Sequence, residues 1–235
     1  MRVVKGCSFT YEHYKQTLLR AVKEGYAVIR ALDLLEEEPN DKVLVLTHDI
    51  DLSVQKALRM AKIEYDLGLR STFFVRVSGL YNVFDVENKE ALRQMVEWGH
   101  EIGLHFPLEF YLREGCDPYD AIRIEKELLE TALSIEILGF SLHSTGRLQR
   151  MCGDKLPEIR DVLLKAGFRY SRHHLVKRYG LKFVSDSNRY WRDGCLCLHL
   201  GAEPRILALI HPFWWDEEDL PIITLIERAI RGNVI

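Results

Sequence analysis

Short, almost uniformly apolar runs of strand length recur along this chain, and helix-period segments lie between them. The runs are YAVIR (26–30), VLVLTHD (43–49), STFFVRV (71–77), EIGLHF (101–106), GFSLHS (139–144), FRYSR (168–172), KFVSDS (182–187), CLCLHL (195–200) and ILALIHP (206–212). A strand with one wet face alternates apolar and polar residues. Most of these do not, so they read as parallel strands covered by helices. Between them, Ser53–Leu67 carries Val54, Ala57, Leu58, Ala61 and Leu67 at helical spacing, and Glu87–Trp98 stops at Gly99. Asp120–Leu138 and Pro157–Ala166 are followed by Gly139 and Gly167, which take the C-cap position. Strand and helix alternating in this way imply right-handed βα units. With this many strands in 235 residues, 47% of them hydrophobic, a single distorted (β/α) barrel of about seven parallel strands is favoured over an open sheet or two small domains. Neither G-x-G-x-x-G nor G-x-x-x-x-G-K-[ST] occurs, which weakens a nucleotide-binding reading.

Charge adds little. The net charge is −3 and no block of Lys or Arg stands out, so no nucleic-acid footprint is visible. The N-terminus MRVVKGCSFTYEHYKQ lacks the apolar core of a signal peptide, and no run approaches the length of a membrane span, so a cytoplasmic protein is expected. Five cysteines, Cys7, Cys116, Cys152, Cys195 and Cys197, are odd in number and scattered, which argues against a disulfide framework. Cys195 and Cys197 resemble a metal pair. Alternation in CLCLHL, however, puts both sulfurs on one face of an expected strand, where free Cys behaves as a small buried hydrophobe.

Position is the informative fact about the polar residues. His48, Asp49, Asp51, His105, His143, Asp186 and His211 all fall at or just after the C-terminal end of an apolar run. Charged groups are costly in a core, and the C-terminal mouth of a barrel is where catalytic residues collect. In THDID, Asp49 and Asp51 are two apart and face the same way on an extended strand end. One can bind a hard cation while the other takes a proton from water; alternatively, one of them caps the helix starting near Ser53. His105 closes its strand and offers an imidazole ligand, whereas His100, five residues earlier, lies on the other face. His211 stands between a strand and a proline, suited to protonating a leaving amine or to packing as a core histidine beside Trp214 and Trp215. That aromatic pair can also stack on a sugar ring. For His143, a metal ligand, a substrate contact and a satisfied strand-end histidine all stay open. His173, His174 and His199 read as structural.

Taken in order, these motifs resemble the NodB-homology polysaccharide deacetylases, carbohydrate esterase family 4, and most closely their divergent WbmS-like branch found with surface-polysaccharide biosynthesis. The similarity runs from about Val43 to Trp215. LTHDID resembles the first motif, which implies Asp49 as base and Asp51 as metal ligand. STFFV resembles the second strand, and GHEIGLH leads to the metal-histidine motif, which implies His105 as ligand. The family's second histidine would fall at Glu109, so the third ligand is either His143, favoured for its place at a strand end, or Glu109. The family's Arg-Pro-Pro-Tyr motif is not recognisable, and SLHST occupies its place. LIHPFW resembles the last motif, which implies His211 as catalytic acid, and Asp186 with Trp191 resembles the fourth. Substrate contacts are expected from His48, Asp186, Trp191, Trp214 and Trp215.

The resemblance therefore implies a divalent metal ion, zinc first and cobalt, nickel or manganese as alternatives. It also implies hydrolysis of an N-acyl group, N-acetyl above all, from a sugar, nucleotide sugar or lipid-linked glycan in surface-polysaccharide biosynthesis. A metal hydrolase acting on another C–N bond is a second expectation, and a non-catalytic carbohydrate-binding barrel a third. The chain 1–235 is expected to be one catalytic domain, with 1–42 a helical extension packed on the barrel. Self-association stays open.

Overall fold

The computed structural model describes residues 7–36 and 41–232. In chain order these form α1 (Tyr11–Lys23), β1 (Ala27–Ile29), α2 (Asp33–Glu36), β2 (Val43–Ile50), α3 (Val54–Asp66), β3 (Thr72–Val75), α4 (Val86–Glu97), β4 (Glu101–Phe106), α5 (Leu108–Glu114), α6 (Pro118–Leu133), β5 (Gly139–Leu142), α7 (Thr145–Cys152), α8 (Leu156–Leu164), β6 (Tyr170–Ser171), α9 (Arg172–Arg178), β7 (Lys182–Ser185), α10 (Leu196–His199), β8 (Arg205–Ile210) and α11 (Ile222–Gly232). No helix among the described residues is long and apolar enough to cross a membrane.

The expected barrel is present in distorted form. Seven strands follow the order β6-β5-β4-β3-β2-β8-β7, and every described pairing is parallel. β1 lies off this path, beside the first half of β2 (Val43–Val45), while β3 takes the second half (Thr47–Ile50). No ladder joins β6 to β7 among the described residues, so the sheet has an open seam there. Its curl is visible in one contact: Arg172, which follows β6, reaches Asp49 on β2 at 2.6 Å. In a flat sheet four strand spacings would separate those strands by roughly 19 Å.

Side-chain alternation divides this curled sheet into an inner and an outer face. Val43, Val45, Phe74, Tyr170 and Leu207 cluster inside with Ala31 and Leu34 from the segment ahead of β2. Leu104, Phe106, Phe140 and Leu142 instead pack outward against α3, α4, α6 and α8. Leu44, Leu46, Ile206, Ala208 and Ile210 pack outward against α1, α3 and α10. Two interior positions must be glycine. A Cβ on Gly139 would lie 2.0 Å from the Tyr170 ring, which is anchored by its hydroxyl on Glu101 at 2.6 Å, and one on Gly103 would lie 2.6 Å from Phe74.

Two local expectations are corrected. CLCLHL is not a strand: Leu196–His199 form the short helix α10, with Cys195 as its N-cap. Period-two apolarity over six residues cannot by itself separate a strand from one helical turn lying on a core. Likewise Gly139 is not a helix cap. α6 ends at Leu133, Ser134 takes the left-handed position at φ 59°, and Gly139 opens β5.

A buried polar cluster fastens α1 and α3 to the outer face. Glu64 accepts hydrogen bonds from Tyr14 Oη at 2.6 Å and from the Ser71 hydroxyl, with His48 Nε2 at 2.9 Å and His100 Nδ1 at 3.5 Å. Burial alone would raise its carboxyl; His48, His100 and Ser71 outweigh that and hold it below the ordinary value. A carboxyl depressed in the folded state stabilises above its unfolded pKa of about 4.3, and the contribution is lost as pH falls through the folded value. Glu64→Gln removes the charge from these hydrogen bonds and should therefore cost about 1.5–3 kcal/mol near neutral pH. In urea unfolding, the gap from wild type should narrow as the solution is made acid.

Candidate active site

At the C-terminal ends of the strands, the inward parity of the sheet collects one set of titratable groups. Asp49 ends the inward series of β2 and Asp51 lies two residues on. His105 belongs to β4, Ser141 to β5, His143 follows β5, Arg172 follows β6 and His211 follows β8. Asp49 is buried; its Oδ1 accepts from Arg172 Nη1 at 2.6 Å and from Ser141 Oγ at 3.2 Å, and its Oδ2 lies 3.6 Å from His105 Nε2. Burial would raise this carboxyl, but Arg172, with His105 and His211, holds it far below the ordinary range. Arg172 also lies over the Phe74 ring at 5.4 Å.

Asp51 is the meeting point. Its Oδ1 stands 3.4 Å from His105 Nε2 and 3.9 Å from His143 Nε2, and its Oδ2 stands 3.9 Å from His211 Nε2. Burial raises its carboxyl as well, and the imidazoles of His105 and His211 pull it below the ordinary value. Each imidazole is held from behind. His105 Nδ1 bonds Ser141 Oγ at 2.7 Å, and His143 Nδ1 makes a very short contact with Glu109 Oε1. His211 Nδ1 bonds Asp186 Oδ1 at 2.6 Å, and its backbone N–H donates to the same carboxylate. Burial would lower the His211 pKa; Asp186, with Asp49 and Asp51, overrides it and raises the value to about 9. His211 is thus a cation at neutral pH and can give up a proton.

Asp49, Asp51, His105, His143 and His211 therefore stand together at one rim, as their strand-end positions suggested. His48 does not join them. It is one residue out of phase with Asp49, points to the outer face, and lies fully buried against Glu64 and the Phe73 ring at 4.3 Å. It has no access to a substrate. Asp186 is fully buried and spends both oxygens on His211 and on Trp215 Nε1, the latter at 2.8 Å. Trp215 is likewise buried, so the pair positions His211 and offers no sugar-stacking surface. Trp191 stacks on Phe9 at 6.1 Å and Trp214 lies edge-on to Phe213 at 5.2 Å; both are half-buried. Glu109 is buried behind His143 rather than beside Asp51.

Sequence reasoning missed Arg172 and Ser141. Both were findable, because Arg172 ends FRYSR as His105 ends GHEIGLH, and Ser141 shares the parity of His143. Beside them the open seam holds a cavity of about 430 Å³, whose wall includes Ser141, Ser171, Arg172, Arg160 and His173.

No family model matches this chain, and no curated protein matches it. Solved structures do. The catalytic domain of peptidoglycan N-acetylglucosamine deacetylase from Eubacterium rectale is 13% identical, with a TM-score of 0.51 over 84% of this chain and 86% of that one. The chitin deacetylase of Colletotrichum lindemuthianum is 16% identical, with a TM-score of 0.47 over 80% and 81%. A CE4 family pseudoenzyme from Bacillus anthracis is 17% identical, with a TM-score of 0.49; the match covers 83% of this chain and 63% of that longer one. The first of these likenesses shows a shared fold, the distorted barrel of CE4 polysaccharide deacetylases.

Removing Arg172 leaves a buried carboxylate without its partner. Arg172→Met should cost about 3–5 kcal/mol in urea unfolding near neutral pH, and Arg172→Lys should recover only part of this because a point charge does not reproduce the stacked planar group.

Proposed function

We propose that this chain is a divalent-metal-dependent hydrolase that removes an N-acyl group, N-acetyl in the simplest case, from a sugar or glycan intermediate of surface-polysaccharide biosynthesis. The observation that carries the reading is the Asp51 carboxylate. Its Oδ1 is buried without a hydrogen-bond partner, although His105 Nε2 and His143 Nε2 flank it. A buried acceptor left unpaired costs about 1–3 kcal/mol, and a cation shared with two imidazoles removes that cost. The donor set of one carboxylate and two imidazoles suits zinc and its neighbours. Glu109 then serves as the carboxylate behind His143 that fixes which ring nitrogen faces the ion, and Ser141 does the same for His105.

A divalent cation in this position supplies polarisation of an acyl carbonyl and acidification of a water. The protein's own groups do the rest. Arg172 keeps Asp49 anionic and occupies its Oδ1, which leaves Oδ2 to accept the proton of the attacking water. His211, cationic and held by Asp186, donates a proton to the departing amine. The cavity at the seam opens beside Asp49's partners, and in its wall Arg160 is buried with no carboxylate partner among the described residues. An unpaired guanidinium there suits the phosphate of a nucleotide-linked or lipid-linked sugar.

The zinc- or cobalt-loaded protein should release acetate from an N-acetylated sugar or sugar nucleotide; no release across such a panel would sink the reading. Asp49→Asn should keep its metal and lose about 10²–10⁴-fold in kcat. Glu109→Gln should weaken metal binding by about 10–100-fold while His143→Ala abolishes it, and the reverse order would make Glu109 the ligand. Arg160→Met should raise KM about tenfold or more for a phosphate-linked substrate and leave KM for a neutral N-acetyl sugar unchanged.

A further inference from the structure

A second cluster of ligating side chains lies away from the rim, between the N-terminal segment and α10. Cys7 precedes α1, His13 is in its first turn, Cys195 is the N-cap of α10 and Cys197 lies within it. One ligand atom from each, three sulfurs and one imidazole nitrogen, all lie within 4.8 Å of one another. Cys7 Sγ is 3.4 Å from Cys197 Sγ, and His13 Nε2 is 3.3 Å from Cys195 Sγ. Among the described residues no other set of three or more His, Cys, Asp or Glu ligand atoms is drawn together so tightly.

These separations do not describe a disulfide, whose sulfurs sit about 2.05 Å apart. All five cysteines are free thiols. The two short separations, 3.4 Å between sulfurs and 3.3 Å from nitrogen to sulfur, lie within a few tenths of an ångström of the edges of a zinc tetrahedron, where Zn–S bonds of about 2.3 Å and a Zn–N bond of about 2.0 Å place sulfurs about 3.8 Å apart and nitrogen about 3.5 Å from sulfur. The surroundings fit a thiolate-rich centre. Arg20 donates to the carbonyls of Cys197 and Leu200 at 2.9 Å and 3.2 Å, which brings a cation against helix α10, whose N-cap and first turn carry two of the sulfurs. The His13 ring is stacked parallel to Trp215 at 6.4 Å, which fixes its plane.

We propose that Cys7, His13, Cys195 and Cys197 form a closed structural site for a thiophilic divalent cation, zinc in the first instance. Four protein ligands leave no open position, so the site holds the fold together and performs no chemistry. It clips together residues 190 apart in sequence, where the closure entropy removed from the unfolded chain is large. The clip also reaches the rim. Phe9, between Cys7 and His13, packs on Trp215 at 5.2 Å and on Trp191, and Trp215 holds Asp186 behind His211.

The decisive experiment is cobalt substitution of the whole chain. Cobalt-loaded wild type should show a near-ultraviolet thiolate-to-cobalt charge-transfer band, which a centre made only of carboxylate and imidazole cannot give. The band should persist in His105→Ala and vanish in Cys7→Ser/Cys197→Ser, so the fate of this site is read separately from that of the rim. The double variant should carry one fewer equivalent of zinc by elemental analysis, and in a His105→Ala background chelator should lower the thermal midpoint of the chain with its cysteines intact and leave that of Cys7→Ser/Cys197→Ser unmoved. Absence of the band in wild type would overturn the proposal even if the serine variants fail to fold. So would three free thiols instead of five in unreduced, unfolded protein, because a disulfide would then have taken the other two.

Discussion

Alternation of side chains on a curled parallel sheet is the constraint on which the rest of this molecule depends. Once β2 presents Asp49 inward, Asp51 must follow and His48 must face out. The same parity sends His105 and Ser141 inward from their strands and His143, Arg172 and His211 inward from the residues that directly follow β5, β6 and β8, and curvature converts one rim into a point of convergence. Gly103 and Gly139 permit that curvature by leaving room for Phe74 and Tyr170, whose rings fill the interior below the polar groups.

A rim holding this much charge survives because each group is held by another. Asp49 leans on Arg172, His105 on Ser141, His143 on Glu109, and His211 on Asp186, which in turn takes a hydrogen bond from Trp215. Such paired groups stay charged in a low dielectric and keep fixed orientations without reorganising. Two buried acceptors of this network lack a hydrogen-bond partner, Asp51 Oδ1 among the imidazoles and Glu109 Oε2 behind His143. What sets the rim apart from the buried network around Glu64 is that its unpaired carboxylate oxygen faces two imidazole nitrogens, at 3.4 Å and 3.9 Å.

The segment ahead of β2 does more than decorate the barrel. Ala31 and Leu34 pack on the inner core at the end opposite the rim, and the Ala31 N–H donates to Thr72 Oγ1 at 2.8 Å. Tyr14 reaches Glu64, and Tyr11 N–H donates to the Asp216 carbonyl at 2.8 Å, which ties α1 to the turn just after Trp215. The N-terminal helix is thereby joined to the same tryptophan that supports His211.

Uniform apolarity of strand-length runs was enough to identify a parallel sheet under helices, because only strands covered on both faces tolerate such composition. Polar residues closing those runs were enough to locate the rim, because a charge there escapes the core. Which neighbours each polar group meets was decided by curvature. No local pattern tells Arg172 that Asp49 lies within reach across four strands, or Asp186 that its oxygens will be consumed by His211 and Trp215. The cysteines make the same point in reverse. Cys195 and Cys197 looked like two core residues of a strand, and only folding brings Cys7 and His13 beside them, since chain order carries no record of contacts between segments some 190 residues apart.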